Sequence, residues 1–413
     1  MEIYKQSPWG KIPVQWKISS VKEETEVVTD YVANGSFASL ADNVKYKSQE
    51  DYAVLIRLVD YNNQFNGDFV YISKDAYEFL SKSKLYGDEI IISNVGANVG
   101  TVFKCPHLKY KMSLAPNAIM VKFKGNNEFY YYWLKSRFGQ YMLNSIVTGS
   151  AQPKFNKTNF RDLLIPVPPI DVQDRISTIL KSLDDKIELN RRINDNLEKQ
   201  AQALFKSWFV DFEPFKDSEF VDSELGMIPK GWRVGVLGEV AEFKRGKTIT
   251  QKDTKVGNIP VIAGGLEPAY YHNVANTTAP VVTISASGAN AGFTQIIFDD
   301  VWASDCSYID SQCAYLLFAY CFLSVNTRIL RHAQVGAAQP HVYAKDVNAF
   351  KIALPNDLNI IRHFTSVIEP IFNHIANNRK ENSKLSIIRD CLLPRLMSGE
   401  LRISEIETEK NNG

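Results

Sequence analysis

The chain contains no run of about 18 apolar residues, and its opening MEIYKQSPWG has neither a basic leader nor an apolar stretch behind it. A membrane span and a secretory signal are therefore not expected, and the expected compartment is the cytoplasm. Cysteine is scarce. The five present (Cys105, Cys306, Cys313, Cys321, Cys391) form no CxxC pair and have no His-rich partner segment, so no metal site and no disulfide framework is expected, only reduced thiols that mostly pack. Catalytic signatures are missing too. The nearest phosphate-loop candidate, Arg245-Gly246-Lys247-Thr248, has Ala241 where the leading glycine belongs, and a plain turn or a set of basic groove residues fits it better. No dinucleotide-spaced glycines occur, and Val167-Pro168-Pro169-Ile170 lacks the polar lead and the closing aromatic of an amino-methylation tetrad. HExxH, GxSxG and a nuclease-spaced acidic set are likewise absent, which argues against an independent enzyme.

Net charge is +1 over 413 residues, which by itself does not suggest a nucleic-acid binder. Its distribution does, because phosphate neutralisation needs bases presented together. Between Thr101 and Arg161 there are ten bases and one acid, Glu128. From Ser311 to Lys345 there is no acid, while Arg328, Arg331 and Lys345 stand with His332 and His341. The alternative is a solvated face balanced by acids nearby in space.

What the chain does have is a repeat. GSAQPKFNKTNFRDLLIPVP (Gly149 to Pro168) recurs as GAAQPHVYAKDVNAFKIALP (Gly336 to Pro355), SNVGANVG (Ser93 to Gly100) as SASGANAG (Ser285 to Gly292), and SPWGKIPVQW (Ser7 to Trp16) as SELGMIPKGW (Ser223 to Trp232). Three matches in one order mean two copies of one unit, about 1 to 212 and 213 to 413. Each copy reads as short β-branched strands such as Tyr52 to Val59, Glu89 to Ser93, Ala118 to Phe123 and Pro280 to Ser285. A helix follows in each, Glu128 to Ser145 and Tyr315 to Arg331, and leads into the Gly-x-Ala-Gln-Pro loop. Tyr130, Tyr131 and Tyr132 are read as helix packing.

Each copy closes on a proline-marked linker and a long helix. Ile176, Leu180, Leu183, Ile187, Asn190, Asn194, Leu197, Ala201, Leu204 and Trp208 step by fours and threes, the spacing of a coiled-coil seam. Val367, Ile371, Ile375, Asn378, Asn382, Leu385 and Leu392 continue it in the second copy. Asn190, Asn194, Asn378 and Asn382 are helix-register candidates, since buried seam asparagines lower stability but fix alignment; the alternative is an ordinary amphipathic helix with two exposed polar positions. Pro370 is expected to kink the second helix or mark a late start.

Candidate DNA contacts are Ser93, Asn94, Asn98, Lys104, Lys109, Lys111, Gln152, Lys154 and Lys157 in the first copy. In the second they are Lys244, Arg245, Lys247, Ser285, Asn290, Arg331, Gln339 and His341. Asn and Gln can read adenine edges, and Lys or Arg can read guanine or hold phosphates. Asn98 and Asn290 could instead hold left-handed turns, and Gln152 and Gln339 could cap their loop.

The paired openings IPVQW and IPKGW, the GANxG turns, the GSAQP and GAAQP loops and the two helical stretches LDDKIELNRRINDNLEKQAQALFKSWFVDFEP and NHIANNRKENSKLSIIRDCLLPRLMSGEL resemble the specificity subunit of type I restriction-modification systems, over nearly the whole chain. That resemblance implies mixed α/β (α+β) target-recognition domains, two in tandem, on two long helices that form an antiparallel coiled coil with pseudo-two-fold symmetry. The implied boundaries are 1–168 and 213–355 for the domains, 169–212 and 356–403 for the helices, and 404–413 for a disordered tail. Each domain would read one half of an asymmetric split site on double-stranded DNA. No cofactor is implied on this chain. Two methylation subunits would carry S-adenosylmethionine, and restriction or motor subunits would carry ATP and Mg. Leu204, Phe205, Trp208, Phe209 and Phe212 look too apolar to serve the helix pair alone and are expected to bind a methylation subunit. The alternatives are a scaffold protein with duplicated domains that binds no DNA, and the recognition chain of another restriction-modification class.

Overall fold

The computed structural model describes residues 4–332, 334 and 340–401. The chain packs as two compact units, one made of the residues up to 187 together with those from 383 on, the other of 188–382. The boundaries of these two units fall inside the long helices. The physical reason is burial. In the first unit Ile176 and Leu180 on one helix, and Leu396 and Met397 on the other, complete a core with Trp9, Trp16, Phe129 and Trp133. In the second, Ala201, Phe205 and Phe209 meet Ile361, Phe364 and Phe372 in a core with Trp232, Phe318 and Ile352.

Within the first unit, the SPWG segment forms a hairpin, Tyr4–Ser7 against Gly10–Pro13, with the Ser7 hydroxyl donating to the Gly10 carbonyl at 2.5 Å. Lys17–Ser20 then pairs antiparallel with Leu164–Val167, so the opening motif and the closing proline linker lie side by side. Between them a four-stranded sheet runs Thr25–Asp30, Ala118–Phe123, Ile90–Ser93, Val102–Lys104. A second sheet orders Val70–Ile72, Ala53–Ile56, Lys111–Leu114, Lys84–Leu85, its middle pair parallel.

The second unit has the same plan. Its hairpin is Phe220–Val221 against Ile228–Pro229, and Ser223 donates to the Gly226 carbonyl at 2.5 Å. Trp232–Val236 pairs with Lys351–Pro355. One sheet runs Lys244–Arg245, Cys306–Ile309, Val281–Ser285, Thr294–Ile297, and the other Tyr270–His272, Ile259–Ile262, Trp302–Ala303, with the last two strands parallel. The duplication read from three motifs thus extends to strand order, including stretches where the two sequences are weakly alike.

The helix expected over Glu128 to Ser145 is two, Asn127–Lys135 and Arg137–Ser145. Ser136 is the break, ending the first with extended backbone and capping the second by accepting from the Gly139 amide. Tyr130, Tyr131 and Tyr132 are buried. In the second copy Leu316–Val325 and Thr327–His332 break at Asn326. The long helices span Ile170–Phe209 and Asn359–Met397. Pro370 does not delay the second, which begins eleven residues earlier and continues through it.

Within the second unit the helices pair antiparallel. Asn190 Nδ2 donates to Glu381 Oε2 at 2.7 Å and to Asn382 Oδ1 at 2.9 Å, and Asn378 Nδ2 to Asn194 Oδ1 at 2.8 Å. These asparagines are therefore inside the seam and not exposed polar positions. Val367, expected on the seam, is instead 40% exposed, and Ile361, Phe364 and Ile368 are buried in its place.

Among the described residues no helix is long and apolar enough to cross a membrane, and no cluster of three metal-ligating side chains occurs. Cys105, Cys306 and Cys321 are buried and Cys391 is exposed. Burial pushes the Cys306 thiol up to about 12.

Candidate nucleic-acid interface

The two glycine-bearing motifs of each copy, far apart in sequence, meet in space. In the first unit Asn94 lies at the end of strand Ile90–Ser93, and its carbonyl accepts from the Phe155 amide at 3.1 Å while the Gly96 amide donates to the Pro153 carbonyl at 2.9 Å. Val95 bridges Lys154, and Lys154 in turn bridges Thr148, closing the Gly149–Pro153 loop on itself. In the second unit the Ala286 carbonyl accepts from Val342 at 3.0 Å, the Gly288 amide donates to Pro340 at 3.1 Å, and Ser287 bridges His341. The same corner is built twice.

Glycine is required at its turning points. Gly96 and Gly100 have φ of +99° and +89°, and Gly288 and Gly292 +80° and +82°, a region that costs other residues about 1–2 kcal/mol. Asn98 and Asn290 do not take the left-handed conformation. Each offers its carbonyl to an amide three residues on, Thr101 at 3.2 Å and Phe293 at 2.9 Å.

The candidates sort by what their side chains already do. Asn98, Gln152 and Lys154 are exposed at the first corner, and among the described residues Lys154 makes no ion pair. Lys111 is exposed. Lys109 is also exposed, stands over Tyr110 and lies 3.6 Å from Glu50. Three others are occupied. Lys104 is paired with Glu128 at 2.8 Å and Lys157 with Asp30 at 2.8 Å, while Ser93 is buried in its strand. Ser285 is also buried, donating to the Gly264 carbonyl at 3.0 Å. In these four the side chains are ion-paired or buried within their own unit. Asn94 donates to the Phe155 carbonyl at 3.0 Å, so its amide braces the corner.

In the second unit Asn290 and Arg331 line one cavity of about 510 Å³ with Gln334. His341 stacks on Tyr343, with ring centroids 5.9 Å apart. Lys244 and Arg245 are exposed on an edge strand, and Lys247 is exposed in the loop just after it. The phosphate-loop possibility ends here, since the Gly246 and Lys247 amides donate to Cys306 and Ala303 carbonyls. Gln339 and the tail 404–413 lie outside the described residues.

Leu204, Phe205, Trp208, Phe209 and Phe212, the expected partner-binding residues, pack into the core of the second unit. Phe205, Phe209 and Phe212 are buried, and Leu204 and Trp208 pack against the same core. Phe205 stacks with Phe209 at 5.2 Å and Phe209 meets Phe318 at 4.9 Å. These side chains contribute to their own unit's core, with Leu204 and Trp208 still partly accessible. The sequence reading passed over Phe37, which is 81% exposed and lines an open cavity of about 670 Å³ with Asn94 and Val95; nothing in its local pattern sets it apart from a core aromatic.

Residues 13–199 and 229–386 match the type I restriction modification DNA specificity domain. The chain belongs to this family. It carries the domain twice, as a specificity subunit, and the two matches take in both corners. Over 437 aligned residues, covering 98% of this chain and 97% of the relative, it is 28% identical to the type I restriction enzyme MjaIX specificity subunit of Methanocaldococcus jannaschii. It is 23% identical to the type I restriction enzyme HindI specificity subunit of Haemophilus influenzae over 60% of this chain and 71% of that one. The crystal structure of a type I restriction-modification S subunit from M. genitalium superposes with a TM-score of 0.55 at 16% identity, covering 92% of this chain and 96% of the other. That likeness speaks for the fold.

Proposed function

We propose that each unit reads one half of an asymmetric, split sequence on double-stranded DNA, and that the chain directs partner subunits to it in the cytoplasm. In this reading two methylation subunits supply S-adenosylmethionine and the base chemistry, and restriction or motor subunits supply ATP- and Mg-dependent cleavage. The observation that carries it is the corner built twice with the same backbone hydrogen bonds and different side chains: Asn94 against Ala286, Val95 against Ser287, Lys154 against His341. A common frame with unlike readers is what recognition of two unlike half-sites requires, since backbone groups position a protein on DNA and side chains select bases. The readers are Asn98, Gln152 and Lys154 on one corner and Asn290, Arg331 and His341 on the other, with Lys244, Arg245 and Lys247 facing phosphates. Lys109 and Lys111 add positive charge to the first unit. Asn190, Asn194, Asn378 and Asn382 fix helix register, so that the pairing cannot slip by a turn.

The test is to co-express the chain with its methylation partner and map methylated adenines across the host genome. A split asymmetric motif that appears only with both chains present supports the reading. A stable complex with no new methylation would sink it in favour of a scaffold.

A further inference from the structure

Each unit ties its domain to the helix pair by the same three groups. In the first, buried Tyr132 donates its hydroxyl to Asp184 Oδ2 at 2.8 Å, and Arg389 donates to Asp184 Oδ1 at 2.7 Å. In the second, Tyr320 donates to Glu198 Oε2 at 3.5 Å, and Arg379 to Glu198 Oε1 at 3.1 Å. In both cases the tyrosine comes from the first helix after the sheets, the carboxylate from the first long helix and the arginine from the second. Arg379 reaches further, donating to the Ile296 carbonyl at 2.6 Å and lying over the Phe298 ring at 5.3 Å.

Apolar contacts alone let a domain rock on a helix surface, because they are non-directional. A charge-assisted hydrogen bond is directional and fixes an angle. Burial, and then the charge of Asp184, pushes the Tyr132 hydroxyl well up, so it stays a donor. Burial raises the Glu198 carboxyl, and Arg379 offsets only part of that rise. Tyr132, Asp184 and Arg389 stand apart from the corner residues, whereas Glu198 and Tyr320 also line the cavity of about 510 Å³ that holds Asn290 and Arg331, so the first triad is the cleaner test; a helix pair that only needed to pack could fill the same positions with apolar side chains at no loss.

We infer that the two tyrosine–carboxylate–arginine triads are positioning groups that set the angle at which each domain is held on the helix pair, and so the length of the gap tolerated between half-sites. This rests on the split-site reading above. They act through the domains they hold and touch no DNA. The first triad has the shorter bonds and should set the angle more tightly.

The test uses the full chain with its methylation partner and reads the gap in the methylated motif. Asp184→Asn and Glu198→Gln remove the charge, while the milder Tyr132→Phe and Tyr320→Phe keep the ring in the core. In the variants the half-site letters should be unchanged, and methylation at gaps one base longer or shorter should rise about tenfold, the ratio that corresponds to one net hydrogen bond. The rise should be larger for Asp184→Asn than for Glu198→Gln. Gaps as sharp as wild type in the tyrosine variants, or altered half-site letters in any variant, would overturn the inference while leaving the split-site reading intact. A wild-type chain that directs no split-site methylation would overturn both.

Discussion

The two units share one backbone arrangement at the corner but not all of its side chains. At the corner, Gly96 and Gly288 make equivalent hydrogen bonds to Pro153 and Pro340, yet the neighbouring Asn94 has become Ala286 with its own carbonyl bond intact. The frame therefore does not depend on the asparagine side chain. Frame and reader are separable, and a duplicated domain can diverge in what it reads without rebuilding how it folds.

Five substitutions would break or sharpen that comparison. Phe205→Ala should have the largest effect, about 3–5 kcal/mol of lost stability as expected for a buried phenylalanine. Hydrogen exchange should show the loss across 188–382 and leave the first unit protected. If partner binding fell while protection of 188–382 was unchanged, Phe205 would be an interface residue after all. Next come Gly96→Ala and Gly288→Ala, each expected to cost about 1–2 kcal/mol from backbone conformation, since an added Cβ meets nothing within 4 Å at either position. Equal costs in urea unfolding would support one shared frame, and a clear inequality would refute it.

Asn94→Ala should change stability by less than about 1 kcal/mol. The bond to Phe155 is lost, but so is Asn94 Oδ1, a buried acceptor with no partner, and these terms oppose each other. A larger loss in thermal unfolding would mean that the first corner depends on this side chain as the second does not. Lys154→Gln should leave stability within about 0.5 kcal/mol. If it contacts a phosphate, the slope of log affinity against log salt should flatten by about 0.9 for the assembled complex; an unchanged slope would remove Lys154 from the phosphate contacts.

Periodicity made the helices legible, because a seam repeats over many turns and tolerates local error. Glycines at positive φ made the corner legible, because few other residues can stand there. What stayed hidden depends on long-range partners. That Lys104 pairs with Glu128 and Lys157 with Asp30 follows from tertiary placement, and a run of bases in sequence does not record which base folds against which acid. The aromatic end of the first long helix read as surplus because the core receiving it, from Trp232 to Phe364, is contributed by residues that come later in the chain. Ser136 split a helix that the apolar pattern ran through, since its capping hydroxyl competes locally with the helical backbone.

The division of the chain into 188–382 and a unit made from both ends also sets an order of events during synthesis. The second unit is contiguous and can close as soon as its last residue is free of the ribosome. The first cannot bury Ile176 and Leu180 fully until Leu396 and Met397 arrive, so the half that is made first is finished last. Until then it presents an unfilled groove to whatever apolar segment the cell offers, which makes a nascent partner or a chaperone most consequential for the end of the molecule that has waited longest.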